Sequence, residues 1–125
     1  MRVQLCYANW HELARLPDNQ GTFIAVAQRG EQLLDEEFYD CVHKCEMNCE
    51  TSLDVCNELF EQFNFGDRGG RKVRSMSVGD LVIIDYALWK EVFVCKPTGW
   101  QKINLEDQTN VTLIGSLLGW SEENE

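Results

Sequence analysis

Five residues between positions 41 and 56 carry side chains that bind metals or act as nucleophiles: Cys41, His43, Cys45, Cys49 and Cys56. Zinc takes four Cys or His ligands in a tetrahedral arrangement. The spacing lacks paired CxxC knuckles, and a rigid helix cannot bring three successive turns onto one ion. Cys45, Cys49 and Cys56 also follow an apolar periodicity, in which a free cysteine behaves as a small hydrophobe. We therefore predict buried structural thiols and no metal, with a small zinc-stabilised domain and a disulfide as alternatives.

Acidic residues are concentrated in one quarter of the chain. The formal charge is −10, and residues 31–61 contain ten acids and one base, a net of −9. Five of these acids recur at intervals of four, four, four and three, which would place them in one stripe on a continuous helix: Glu46, Glu50, Asp54, Glu58 and Glu61. One interpretation is a solvated helix face. The other is a docking surface for a basic groove of a nucleic-acid-handling protein, since complementary charge sets association rate and specificity.

The sequence offers little for catalysis. His11 and His43 are the two histidines, neither lies in a known nucleophile context, and no paired-carboxylate motif stands out from the acidic background. We therefore predict that the chain is not an enzyme, with no catalytic residues and no cofactor. Trp89, in a predicted hairpin turn, is the aromatic side chain that we expect to contact a partner.

Length and composition describe one domain that folds on its own. The chain has 125 residues, 44% of them hydrophobic. We assign residues 1–121 to a single domain, with an acidic, Cys-rich helical segment at 31–64, and residues 122–125 to an acidic tail. The first residues alternate apolar and polar, unlike a signal peptide, and no stretch approaches the roughly 20 apolar residues of a membrane span. We expect reduced thiols in a cytoplasm.

Apolar periodicity and turn residues predict the elements. A strand at residues 2–7 precedes a helix at 9–16 and a strand at 22–28. Two helices, or one broken helix, fill residues 32–64, with a break near 48–52 where Thr51 or Ser52 can cap a new helix.

Strand signals return in the second half. Residues 81–84, 92–95 and 101–105 predict an antiparallel meander, and a last strand is predicted at 110–114. The fold class is α+β: an antiparallel sheet packed with two helices, with closure into a small barrel as an open alternative.

Between helix and meander lies a basic loop that contains Arg68, Arg71, Lys72 and Arg74. Four positive charges on a molecule of net −10 support weak non-specific phosphate binding at most. We expect the loop to pair with the acidic helix or to stay solvated, and we expect no direct nucleic-acid contact. A nucleic-acid-associated accessory module that uses residues 68–74 is the alternative.

Three motifs carry a resemblance to a known family: LFEQFN at residues 59–64, RSMSVGD at 74–80 and VCKPTGW at 94–100. Together they resemble the YodL-like domain family over roughly residues 55–105. Residues 31–52 have no counterpart in the pattern. Within the second motif we predict a turn in which the Ser75 and Ser77 hydroxyls bond local backbone and Val78 fills the core.

The resemblance implies a genomic setting of phages, plasmids and integrative elements, and it supplies no catalytic residues. A small acidic protein from such an element fits an inhibitor that occupies a basic surface of a host defence complex. We therefore expect an anti-CRISPR or anti-restriction type of interaction protein, whose partner is a host protein with a basic surface. The expected contact residues are Glu46, Glu50, Asp54, Glu58, Glu61 and Trp89.

Overall fold

The structure, a computed structural model, describes residues 1–9, 11–12, 34–66 and 74–118. These residues form five strands, two α-helices and one short 3₁₀ helix. The strands are β1 (Arg2–Ala8), β2 (Tyr39–Glu46), β3 (Leu81–Asp85), β4 (Lys90–Lys96) and β5 (Gly99–Lys102), and the helices are the 3₁₀ helix Glu36–Phe38, α1 (Ser52–Phe65) and α2 (Gln108–Leu118). Most of the predicted helix at 9–16, the strand at 22–28, the basic residues 68–72 and the acidic tail lie outside the described residues.

The five strands form one antiparallel sheet in the order β2-β1-β3-β4-β5. Among the strands that the structure describes, β2 and β5 lie at the two edges, so the sheet they form is open. The α+β class and the meander of β3, β4 and β5 confirm the sequence prediction, and the barrel alternative is not adopted. All five residues of β3 and six of the seven in β1 are buried. A strand that is buried on both faces has apolar residues at successive positions and not only at alternate ones. This explains the LVII sequence of β3.

Each face of the sheet packs against one helix. On one face, α1 buries Val55, Cys56, Leu59 and Phe63 against Val3, Leu5, Tyr7, Val82, Ile84 and Phe93. On the other face, Ile114 of α2 packs with Cys6, Ala8, Leu81, Ile83, Val92 and Val94. The described part of the chain is therefore a three-layer arrangement in which α1 and α2 lie on opposite sides of the sheet.

Helix α1 begins where the capping residue predicts. The Thr51 hydroxyl accepts a hydrogen bond from the backbone N–H of Asp54 at 3.1 Å. The helix ends at Gly66, whose N–H donates to the Gln62 carbonyl at 3.0 Å. A Cβ at Gly66 would lie 2.8 Å from that carbonyl oxygen, so the chain leaves the helix at a residue without a side chain.

Replacing Thr51 with alanine should lower the free energy of unfolding by about 1 kcal/mol, because one N–H of the first turn loses its acceptor. Urea unfolding followed by circular dichroism measures the change. Thr98→Ala, in the exposed turn between β4 and β5, is the matched control and should change stability by less than about 0.5 kcal/mol. Equal losses in the two variants would contradict a capping role.

The predicted helix over the first half of residues 32–64 is wrong. Residues 39–46 form the edge strand β2, which pairs with all seven residues of β1. Buried β1 needs hydrogen-bond partners on both sides, and this requirement outweighs local periodicity. The register shifts between Leu5 and Cys6, which pair with His43 and Cys41, so Val42 is an extra residue in a β-bulge.

The predicted strand at residues 110–114 is also wrong, because these residues belong to α2. The Asp107 carboxylate accepts a hydrogen bond from the Thr109 N–H at 2.9 Å at the start of the helix. Leu113, Ile114, Leu117 and Leu118 then follow a helical spacing and pack against the sheet. The second helix of the predicted fold class is thus located at the C-terminal end of the described chain.

Candidate protein-binding surface

The outward side of α1 presents acids between two exposed apolar side chains. Asp54, Glu58 and Glu61 are exposed and follow the i, i+4, i+7 spacing of one helix side. Leu53 is 51% exposed at the start of the helix and Phe65 is 82% exposed at its end. We call these five residues the α1 outer face. Exposed leucine and phenylalanine side chains beside carboxylates supply both apolar area and charge for a protein contact.

The five predicted contact acids do not form one stripe. Glu46 ends β2 and lies opposite Arg2 of β1, so it belongs to the sheet edge and not to the helix. Glu50 is exposed in the connection just before the cap residue Thr51. The prediction of a continuous helical stripe is therefore wrong for Glu46 and Glu50 and holds for the three acids of the α1 outer face.

The connection that contains Glu50 is held against both the sheet and α1. Met1 and Met47 exchange two hydrogen bonds: the N-terminal amine donates to the Met47 carbonyl at 3.1 Å, and the Met47 N–H donates to the Met1 carbonyl at 3.0 Å. The Cys49 thiol donates to a carboxylate oxygen of Glu58 at 3.3 Å. These contacts keep Glu50 at the N-terminal end of the α1 outer face.

The turn between β3 and β4 carries the most exposed apolar residues near the helix start. Leu88 is 90% exposed and Trp89 is 54% exposed. The rings of Tyr86 and Trp89 stack with centroids 5.0 Å apart, and the Tyr86 N–H donates to the Trp89 carbonyl at 2.9 Å. We call residues 86–89 the hairpin tip. The predicted location of Trp89 in an exposed hairpin turn is confirmed, while its contact with a partner stays a prediction.

Ser52 joins the helix start to the hairpin tip. Its hydroxyl oxygen hydrogen-bonds with the hydroxyl of Tyr86 and with the carboxylate of Glu91 in β4. Lys102 of β5 donates to the other oxygen of Glu91 at 3.0 Å. Desolvation acts to raise the pKa of Glu91, but the hydrogen bonds from Ser52 and Lys102 hold it below its usual range. The α1 outer face and the hairpin tip therefore meet at one end of the molecule.

An ion pair with a buried carboxylate and a partly buried guanidinium lies at the end of the basic loop. Asp80 is fully buried, and its two oxygens accept bonds of 2.8 Å from the two terminal nitrogens of Arg74. The same carboxylate accepts from the backbone N–H groups of Ala8 at 2.9 Å and Ser77 at 2.8 Å. The Arg74 guanidinium also lies 4.3 Å from the centre of the Tyr7 ring. These contacts join β1 to the start of β3.

The sequence around this ion pair matches a known family. The sequence model of the YodL-like domain matches residues 10–105, which is 96 of the 125 residues. The chain belongs to the YodL-like domain family. No curated protein and no solved structure matches the chain significantly.

The YodL-like domain is longer than the motifs indicate. The resemblance over residues 55–105 is confirmed and extends toward the N-terminus to residue 10. Residues 31–52, which seemed to have no counterpart, fall inside the matched range. The family match therefore includes the edge strand β2 and the connection before α1.

In this YodL-like domain the RSMSVGD motif forms the turn that carries Asp80. Arg74 donates to the Ser75 carbonyl at 3.0 Å, and the Asp80 N–H donates to the Ser77 carbonyl at 3.1 Å. Met76 is buried in the α1 side of the core, whereas Val78 is partly exposed. The prediction that Val78 fills the core is wrong, and Met76 takes that position.

The six cysteines of the YodL-like domain do not form one cluster. All six lie in the described ranges and none forms a disulfide. Cys56 is buried on the α1 side, whereas Cys41 pairs with Cys6 on the α2 side. Across the described residues, no group of three or more His, Cys, Asp or Glu side chains could hold a metal ion. The prediction of buried structural thiols is confirmed for Cys56 and is wrong for Cys41, which is exposed on β2.

Neither α1 nor α2, the two α-helices within residues 34–66 and 74–118, is long and apolar enough to cross a membrane.

Sequence reasoning missed the contacts of Arg74 and Asp80. Arg74 was grouped with the basic loop, although its guanidinium is engaged by Asp80 and by the Ala8 carbonyl at 2.9 Å. The available signal was Asp80 itself, a carboxylate directly before the apolar run at residues 81–84 of β3. A buried charge at such a position requires a partner of opposite charge.

Proposed function

We propose that this YodL-like domain is a non-enzymatic accessory protein of a phage or mobile element that binds and inhibits a host protein complex. The α1 outer face and the hairpin tip would form the contact. The observation that carries the proposal is the placement of Asp54, Glu58 and Glu61 between exposed Leu53 and Phe65. Surfaces of this composition combine an apolar anchor with charge that selects the partner.

The dimensions of the α1 outer face suit a protein partner. Leu53 and Phe65 are twelve residues apart, which is about 18 Å along a helix axis. The hairpin tip adds Leu88 and Trp89 at the same end as Leu53. Aromatic side chains near the centre of an interface contribute much of its binding energy, so we assign Trp89 and Phe65 as anchors.

The charge supports a partner with a basic surface. The helix start has Asp54 in its first turn, and no basic residue lies in the last turn of α1. A basic groove that otherwise contacts nucleic acid is the class of surface that such carboxylates complement. We therefore propose an anti-defence role of the anti-CRISPR or anti-restriction type in the bacterial cytoplasm.

The contacts of Arg74 weaken the nucleic-acid alternative. A guanidinium that donates two bonds to buried Asp80 and one to the Ala8 carbonyl is committed to the fold. Three of the four basic residues of the predicted loop, Arg68, Arg71 and Lys72, then remain for phosphate contact. Since each phosphate contact contributes to affinity, the loss of one of four weakens an already small site.

The test compares two double variants of equal charge. Glu58→Gln/Glu61→Gln removes two carboxylates from the α1 outer face, and Glu37→Gln/Glu106→Gln removes two exposed carboxylates elsewhere. A partner is first captured from a bacterial host lysate on the immobilised chain, identified and purified. We expect the first variant to bind it about tenfold more weakly, with a reduced salt dependence, since two exposed charge pairs together contribute about 1.4 kcal/mol.

Calorimetric titration of the purified partner at two salt concentrations measures these affinities. The control variant should bind like the unmodified chain. The unmodified chain should also compete with nucleic acid for the partner in a gel-shift assay. Equal affinity of the two double variants would contradict the assigned surface, and direct gel-shift binding lost in Arg71→Ala/Lys72→Ala would favour the nucleic-acid alternative.

A further inference from the structure

Two of the six cysteines face each other across neighbouring strands. Cys6 of β1 and Cys41 of β2 are directly opposed in the antiparallel register, next to the bulge at Val42. Opposed residues of such a pair have Cα atoms about 4.5–5.5 Å apart, within the roughly 4.4–6.8 Å that a disulfide spans. Their side chains lie on the same face of the sheet. The backbone therefore already has the spacing that a cross-strand disulfide requires.

The two thiols differ in access to solvent. Cys6 is fully buried beneath the α2 side of the sheet, whereas Cys41 is exposed on the edge strand. The Gln4 side-chain amide lies on the same strand as Cys6 and donates to its sulfur at 3.4 Å. An oxidant in solution therefore reaches Cys41 and not Cys6.

The two thiols also differ in protonation. A hydrogen bond with Cys6, assisted by the charge of Lys44, lowers the pKa of Cys41 to about 6, although desolvation acts in the opposite direction. The contact with Cys41 and desolvation by burial raise the pKa of Cys6. Of the two facing thiols, the exposed Cys41 is therefore the one that ionises first, and the thiolate is the form that reacts.

We propose that Cys41 and Cys6 form a reversible oxidation site for peroxides, in which Cys41 is oxidised first and Cys6 resolves it. The Cys41 thiolate attacks one oxygen of hydrogen peroxide, the O–O bond breaks, and a sulfenic acid forms as hydroxide leaves. The Cys6 sulfur then attacks the Cys41 sulfur, the S–O bond breaks, and the departing hydroxyl takes the Cys6 proton as water. The two sulfurs lose two electrons and the peroxide gains them.

The other four cysteines lack this combination. Burial raises the pKa of Cys56 to about 12 and that of Cys95 to about 11. Cys45 is half-buried against the α1 side of the core, and desolvation raises its pKa as well. The Cys49 thiol donates a hydrogen bond to Glu58, so it is protonated in this contact. A facing pair of thiols, one exposed with a lowered pKa and one buried, is thus specific to Cys6 and Cys41 among the six.

The experiment maps the oxidised cysteines in the full chain. Reduced protein is treated with hydrogen peroxide, quenched with N-ethylmaleimide, digested with trypsin without reduction and analysed by mass spectrometry. Cleavage after Lys44 separates Cys41, in residues 30–44, from Cys45. We expect a peptide pair linked between Cys6 and Cys41, with Cys45, Cys49, Cys56 and Cys95 alkylated, and we expect dithiothreitol to restore both thiols.

Two variants assign the separate roles. In Cys6→Ala the sulfenic acid at Cys41 should accumulate and react with dimedone, because the resolving thiol is missing. Cys45→Ser, on the same strand, is the matched control and should form the Cys6–Cys41 link like the unmodified chain. Before oxidation, Cys41 should react with iodoacetamide about fivefold faster than Cys45, since its greater thiolate fraction is partly offset by lower nucleophilicity.

Three results would overturn the proposal. The first is a disulfide that joins Cys41 to a cysteine other than Cys6. The second is oxidation of Cys41 to the sulfinic acid while Cys6 stays alkylatable. The third is alkylation of Cys41 no faster than that of Cys45. The first two are read from the unmodified chain and the third needs no variant, so none depends on whether Cys6→Ala folds.

Discussion

Asp80→Asn should lower the free energy of unfolding by about 3 kcal/mol, because it leaves the Arg74 guanidinium without its counter-charge. The carboxylate accepts four hydrogen bonds, two from Arg74 and one each from the backbone N–H groups of Ala8 and Ser77. An asparagine side chain has one acceptor oxygen, so its amide nitrogen would face two donors. Urea unfolding monitored by circular dichroism measures the loss.

The control for this prediction is the exposed ion pair between Glu91 and Lys102. The Lys102 side chain is 59% exposed, and its charge is screened by water. Lys102→Gln should therefore cost less than about 1 kcal/mol. If Asp80→Asn cost no more than Lys102→Gln, the buried ion pair would not be the contact that joins β1 to the start of β3.

The same ion pair predicts a pH dependence for Arg74→Gln. Burial raises the pKa of Asp80, and Arg74, Ser77 and Ala8 act against this shift. Without Arg74 the pKa of the folded state rises further, so folded Asp80 binds more protons than in the unmodified chain. Stability of the variant is then lost as pH rises through that pKa. We expect the stability difference between the two proteins to grow as pH rises above the ordinary aspartate pKa of about 4, because the variant keeps Asp80 protonated in the folded state to higher pH; a constant difference would contradict this assignment.

Local chemistry was sufficient to predict most of the sheet and α1. The apolar runs of β3 and β4, separated by turn residues, predict the meander that the structure has. The hydroxyl of Thr51 fixes the start of α1, and Cys56, which follows the apolar periodicity of the sequence, lies on the buried side of the helix. That periodicity also includes Leu53, which is exposed, so it predicts the buried side only in part. In these segments the local preference and the tertiary packing agree, and this agreement makes them predictable.

The bulge explains why β2 was predicted as a helix. In a regular strand, residues three apart lie on opposite faces, yet Val42 and Cys45 both pack on the α1 side. The extra residue Val42 changes the alternation, so apolar residues 38, 42, 45 and 49 acquire helix-like intervals. The sequence does not reveal the bulge, because it depends on pairing with β1 more than thirty residues away.

Only part of the acidic surface was predictable, because some of its residues are positioned by long-range contacts. Asp54, Glu58 and Glu61 belong to a helix whose cap is local, so their common side could be derived. Glu46 and Glu50 continue the four-residue interval by coincidence, since the residues between them leave β2. The link from Ser52 to the hairpin tip depends on a residue more than thirty positions away and had no sequence signal.

Phe63→Ala should lower the free energy of unfolding by about 4 kcal/mol, which is near the total stability of many small domains. Phe63 is fully buried, and its ring centre lies 6.4 Å from that of Tyr7 and 5.2 Å from that of His43. Removing the ring leaves a cavity between α1, β1 and β2 that this packed core cannot close completely. If the variant is unfolded without urea, Phe63→Leu keeps most of the volume and should cost about 1 kcal/mol.

Phe65→Ala is the matched control, since the same residue type two positions later lies 82% exposed on the opposite side of α1. It should change the free energy of unfolding by less than about 0.5 kcal/mol. Under the proposed function it should still weaken binding of the captured partner, because an exposed anchor contributes to the interface and not to the core. Urea unfolding measures the stability of the two variants, and calorimetric titration measures their affinity for the partner. Together they distinguish the core side of α1 from its outer face. A Phe65→Ala protein as unstable as Phe63→Ala would mean that Phe65 belongs to the core and not to the α1 outer face.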